Sequence, residues 1–328
     1  MKTLALLGLT LFATATPCAS QTIRGKFFSD STLYEPLLAD PRAHRIQLLV
    51  PGWSDPFPHS IDKSDRFAWQ ITLGDELPIV RWSNSASTNQ LDKGEFGVGL
   101  WIPISFHVIE DFKDTSNPIV DTDYRFGFTT KFQYAVSDTL RVGVKFVPWI
   151  HESTHLGDEY VILAQQDPSF ERINVSHEDW EYGISVEGDN WKVRHHGTKP
   201  WSSKGYYSDH RLGEEAATIT PSLKNYEPMF GFEYSFEQIA WKHRLLYVSA
   251  DTRHKLIYNY HQTPENPERR QWSHTLHVGL VQESGVGGAD RSPLKQIFVQ
   301  VYYGVNPYGQ LRSQEDYFSW GIGWVFGR

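Results

Sequence analysis

Glu95-Phe96-Gly97-Val98-Gly99-Leu100-Trp101-Ile102-Pro103-Ile104-Ser105-Phe106-His107-Val108 alternates without a break. Every even position is apolar, from Phe96 to Val108, while the odd positions include Glu95, Gly97, Gly99, Ser105 and His107. A period of two residues means a β-strand with two unlike faces. An alternation of more than about ten residues is long for a soluble domain and suits a tilted crossing of a bilayer. Residues 121–136 repeat the pattern: Tyr124, Phe126, Phe128, Phe132 and Tyr134 lie on one face, and Arg125, Thr129, Lys131 and Gln133 on the other. The first face would aggregate in water and is at home in lipid; the second is what a polar lumen holds.

Extending this reading along the chain gives an all-β fold, an antiparallel transmembrane β-barrel of about twelve strands. The strands are expected near 42–50, 66–75, 95–108, 121–136, 139–150, 179–187, 190–197, 227–236, 240–250, 271–282, 295–305 and 316–327. Between them, very short connections such as Ser137–Asp138 and Gly188–Asp189 alternate with long ones such as His151–Glu178 and Thr198–Tyr226. Short turns at one rim and long loops at the other are the asymmetry of an outer-membrane barrel. In the last strand, Phe318, Trp320, Ile322, Trp324 and Phe326 alternate with Ser319, Gly321, Gly323 and Val325. It resembles the closing strand by which such barrels are recognised for assembly, although Gly327 and Arg328 follow the last aromatic.

Composition agrees. Of the 328 residues, 14% are aromatic, yet mean hydropathy is −0.45, too polar for a bundle of membrane helices. Lys and Arg number 31 against 39 Asp and Glu, a net charge of −8. A nucleic-acid partner is excluded as the main function, because phosphate binding calls for a basic surplus. Residues 1–20 read as a secretory signal peptide: Lys2, an apolar run from Leu4, then small residues at Ala19 and Ser20. Cys18, the sole cysteine, follows Pro17, a poor setting for lipidation. Residues 21–41 lack barrel patterning and are expected on the periplasmic side as a short plug, with the barrel filling 42–328. The location implied is the bacterial outer membrane; the partners are its lipids and the barrel-assembly machinery.

His151-Glu152-Ser153-Thr154-His155 matches a zinc-peptidase pattern by letter. That pattern needs a helix to bring both imidazoles to one metal. On a strand, residues four apart are separated by about 13 Å, too far for one zinc. The same stretch puts His151 and Ser153 two apart, on one face, with Cβ atoms about 6–7 Å from each other. A Ser–His hydrogen bond there is the core of acyl-transfer chemistry. Strict alternation from Leu140 turns this pair toward the lumen; a bulge at Val147-Pro148-Trp149 turns it toward lipid.

The His-x-Ser pair resembles the outer-membrane phospholipase A family, twelve-stranded barrels with such a dyad near the outer end of one strand. The resemblance implies His151 as base, Ser153 as nucleophile and Glu181, after Trp180, at the orienting position where those enzymes carry Asn. Asn190-Trp191-Lys192-Val193 and Lys199-Pro200-Trp201 echo their next strand. The dyad continues Thr154-His155-Leu156 where the phospholipases have Asn-Gly-Arg. No cofactor is implied unless the resemblance extends to calcium. A second resemblance covers more of the chain. Leu37-Leu38-Ala39-Asp40-Pro41-Arg42, the stretch His151–Tyr160 and Gly304-Val305-Asn306-Pro307-Tyr308-Gly309-Gln310 look like the exported bacterial family called domain of unknown function 1207. That family implies an outer-membrane place and no activity. Three functions stay open: a barrel whose rim cluster only pins loops, a lipid acyl hydrolase, and a small-solute pore. For the pore, the lumen side chains would be Arg125, Lys131, Arg141, Lys145, Lys242 and Arg244 against Glu181, Glu187 and Glu233.

Overall fold

The alternating segments form strands whose large apolar side chains stay outside. The computed structural model describes residues 23–28, 33–54, 68–85, 91–111, 119–157, 176–200, 226–240, 244–257, 269–282, 294–308 and 314–327. The expected signal peptide at 1–20, Lys242, Trp201 and residues 158–160 and 309–310 of the family motifs lie outside them. The strands are β1 (Arg24–Phe27), β2 (Ile46–Ser54), β3 (Ala68–Ser83), β4 (Phe96–Asp111), β5 (Ile119–Ala135), β6 (Arg141–Leu156) and β7 (Ser176–Glu187). They continue as β8 (Trp191–Pro200), β9 (Glu227–Ala240), β10 (Arg244–Ile257), β11 (Arg269–Gln282), β12 (Leu294–Gly304) and β13 (Tyr317–Phe326).

Strands β2 to β13 form a closed antiparallel ring of twelve. Each pairs with the next, β13 pairs with β2, and β1 adds to β3. Closure gives every wall strand a partner on both sides, the arrangement that hydrocarbon demands of backbone amides. Phe106, Phe126, Phe128, Phe232 and Ile322 stand exposed on the outer face. Arg125, Lys131, Glu181, Arg194 and Arg253 are buried on the inner one. Twelve strands enclose a space that long side chains can largely fill.

Two features depart from the expected strand plan. The first wall strand begins at Ile46, not at residue 42, and β3 runs on to Ser83. The wall beside β3 is therefore made in two pieces. β2 meets β3 at only three residue pairs, Gln47↔Thr72, Leu48↔Ile71 and Leu49↔Gln70. β1 meets β3 farther along, from Phe27↔Val80 to Arg24↔Ser83. Between these pieces the chain leaves the wall, and residues 33–45 lie inside the barrel. The described part of 21–41 is a short strand followed by a plug held inside the barrel. The reason is electrostatic and steric, since the inner wall offers matched charges and small residues to this segment.

Tyr34 fits where the wall is thin. A Cβ at Gly183 would run into the Tyr34 hydroxyl, and one at Gly231 would run into Leu37. Tyr34 Oη lies 3.1 Å from His196 Nε2, and the Arg194 guanidinium sits 4.1 Å from its ring centroid. Leu38 N donates to Glu233 Oε2 at 2.7 Å, and Ala39 N donates to Ser249 Oγ at 3.0 Å. The plug is thus fastened to β8, β9 and β10 before it turns toward β5, β6 and β7.

Candidate functional site

Strand β6 holds the residues singled out in the sequence, and its local geometry decides their side. Against both neighbours β6 carries one extra residue: Phe128↔Trp149 is followed by Thr130↔Phe146, and Val147↔Glu181 by Ile150↔Asp179. Such a bulge reverses which face later side chains take. Val147 and Ile150, three apart, are both buried inward. Beyond the bulge Glu152 and Thr154 face the lumen, and Thr154 Oγ1 donates to Asp121 Oδ1 at 3.1 Å. His151, Ser153 and His155 share the outer face with their neighbours Phe126 and Tyr124.

On that outer face Ser153 Oγ lies 3.1 Å from Nε2 of His155, not of His151. The edge of the Tyr124 ring packs against His155 with centroids 5.5 Å apart. His151 stands opposite Glu178 of β7. The zinc-like letters therefore lie on an extended strand, as their composition suggested. Among the described residues no group of three or more His, Cys, Asp or Glu is placed to hold a metal ion.

Glu181 is not brought to this pair. It projects inward from β7, with Oε1 2.5 Å from Arg125 Nη2, Oε2 3.5 Å from Lys145 Nζ and Arg42 Nη1 3.7 Å away. Arg125 Nε also donates to Glu152 Oε2 at 3.1 Å, and Arg42 Nη2 reaches the same oxygen at 3.0 Å. Two arginines and a lysine thus share two carboxylates, and one of the arginines comes from the plug. His155 shares a face with His151 and Ser153 whichever way β6 turns, but the resemblance placed the base before Ser153, and Glu178 fell at the end of an expected loop, one residue short of the strand expected at 179–187. The bulge at Pro148 decides only which side of the wall the three take.

A second charged cluster fastens the plug to β10. Arg253 reaches Asp40 Oδ1 at 2.5 Å through Nη2 and Asp251 Oδ1 at 2.6 Å through Nε. Burial raises the Asp40 carboxyl, but Arg253 outweighs it and holds the group well below the usual carboxylate range. His44, 3.1 Å from Ser105 Oγ through Nδ1, is pushed down to about 3 by burial and then by the charge of Arg125. It stays a neutral ring at ordinary pH.

The model of a family described as a protein of unknown function, DUF1207, matches residues 10–200. No curated protein matches. Outer membrane phospholipase A from Escherichia coli superposes with a TM-score of 0.50 at 12% identity, over 90% of this chain and 92% of that one. A Salmonella typhi outer membrane phospholipase dimer with bound calcium gives 0.48 at 13%, over 90% and 92%. OprD from Pseudomonas aeruginosa gives 0.36 at 6%, over 90% and 98%. The fold is that of an outer-membrane β-barrel.

Proposed function

The chain belongs to the DUF1207 family of unknown function, and from that premise we propose that it is a bacterial outer-membrane barrel that hydrolyses lipid acyl esters at Ser153. One observation carries the reading: Ser153 Oγ and His155 Nε2 stand 3.1 Å apart on the outer face near the end of β6. A nucleophile that serves lipid must face lipid, and the bulge supplies that orientation.

The chemistry uses this chain's own groups. His155 Nε2 accepts the hydroxyl proton as Ser153 Oγ attacks the ester carbonyl. The ester C–O bond breaks, the imidazolium returns its proton to the departing lysolipid alcohol, and an acyl-serine remains. Water, deprotonated by the same imidazole, then releases the fatty acid. His151 and Glu178 lie beside this pair and set its electrostatic surroundings. Glu181 acts from the other side of the wall, by holding Arg125. Segment 33–45 lies across the lumen that a solute would use, which argues against the pore reading. Outer-leaflet lipids are the substrates, and the aromatic strand Tyr317–Phe326 is the part offered to the assembly machinery.

The test is fatty-acid release from phospholipid in mixed micelles by purified, folded protein. Wild type releases fatty acid, Ser153→Ala is silent, and His155→Ala falls further than His151→Ala. A folded wild type that releases nothing from phospholipid or lipopolysaccharide esters ends the proposal.

A further inference from the structure

Where the plug turns back toward the wall it leaves a cavity of about 100 Å3. Arg42 and Arg45 of the plug face Arg125, Arg253 and Lys255 of the wall, against two lining carboxylates, Asp123 and Glu152. Three of these cations are matched from behind. Arg42 and Arg125 hold Glu152 and Glu181, and Arg253 holds Asp40 and Asp251. Arg45 differs. Its Nε donates to Gln47 Oε1 at 2.9 Å and its Nη2 to the Leu38 carbonyl at 2.9 Å. Both acceptors are neutral, and no carboxylate among the described residues lies within ion-pair distance of it. Burial pushes its guanidinium down in pKa, so the charged form is held there at a cost that an arriving anion would relieve.

A guanidinium carries five N–H donors in a planar fork that matches a carboxylate or a phosphate. Two of the five go to neutral oxygens, and the side chain lines the cavity. The side-chain amides of Gln47, Gln70 and Gln300 line it too, as neutral donors for the remaining oxygens of such a ligand. We propose that this cavity is a binding site for a small solute bearing a carboxylate or phosphate group, with Arg45 as its principal contact. The site lies inside the barrel, separate from Ser153 on the outer face, and does not depend on the acyl-transfer reading. Because Pro41, Arg42 and Arg45 belong to the plug, a bound anion also ties plug to wall.

The experiment is calorimetric titration of the full-length folded barrel in detergent at low ionic strength, with inorganic phosphate in one arm and succinate in the other. Saturable binding of one equivalent is expected in at least one arm, and the arm that responds identifies the oxyanion. Arg45→Gln should weaken it about tenfold or more, the loss of about one charge-assisted contact. Arg269→Gln, which breaks the exposed rim pair with Glu315, should leave it unchanged. A second readout does not need the variants: the binding anion should raise the wild-type thermal transition more than sodium chloride of equal ionic strength. Absence of saturable binding in both arms, undiminished binding by folded Arg45→Gln, or a thermal shift no larger than that of chloride overturns the proposal.

Discussion

Arg125 is the residue on which most of the interior converges. It is 4% exposed, touches Glu152 and Glu181 and donates through Nη1 to the Arg42 carbonyl at 3.2 Å. Removing one member of a buried ionic group strands its partners, which costs about 3–5 kcal/mol. Arg125→Ala should lower the stability of the folded barrel by about that amount, read from urea unfolding in detergent. Glu181→Gln separates two roles for that carboxylate. With Glu181 in the wall, stability falls, and any ester hydrolysis falls only in step with the folded fraction. Lost hydrolysis at full stability would mean that it orients the nucleophile directly. The orienting role assigned by resemblance failed to become proximity for a simple reason: a strand has two sides, and position 181 is one residue out of phase with 178 and 180.

The strands themselves were legible because lipid and lumen impose opposite demands every second residue. That constraint writes the pattern of β4 and β5 directly into Phe96–Val108 and Tyr124–Tyr134. It writes nothing at β1, whose four residues are all exposed, nor along 33–45, whose residues answer to particular partners instead of to a period. The parity of His151 and Ser153 was likewise open, since a single inserted residue exchanges the faces. That dependence makes the bulge testable. Deleting Pro148 should remove the extra residue and make the ladders to β5 and β7 regular, while His151, Ser153 and His155 stay outside and Glu152 stays inside. The expected result is an unchanged heat-modifiable folded band, with Ser153 still open to labelling by a serine-directed sulfonyl fluoride. Loss of that labelling in folded protein would show that the facing of β6 is not set by one extra residue at this point. An unrelated change tests the same facing: Phe128→Arg, on a side chain 40% exposed outside, should cost about 2–4 kcal/mol near mid-bilayer.

For the molecule as a whole, the plug makes stability depend on pH. Free in an unfolded chain, an imidazole titrates near 6.5; docked, His44 is held down to about 3. Between those values the unfolded chain binds the additional proton. Stability is therefore complete above about 6.5 and is lost as pH falls toward about 3. Asp40, held low beside Arg253, adds a further loss below the ordinary carboxylate range. The thermal transition in detergent should decline across this window, and His44→Gln should remove one group's share of the slope. An unchanged slope would mean that His44 is not buried beside Ser105 in solution.

The divided strand beside β3 has a mechanical meaning. A cork formed by a free chain end can be drawn out along its own axis, but this one is stitched into the wall on both sides. The four rungs of β1 hold one end; three rungs to β3 and the long ladder to β13 hold the other. Residues 33–45 can leave the lumen only as a bight of chain, pulled sideways until a stitch gives. The stitch at β1 is the shorter ladder, with exposed side chains and one partner strand, so it yields first. Any force that clears the interior is therefore felt at Arg24–Phe27 before it reaches Ile46, and the ring of twelve strands outlasts the opening of its centre.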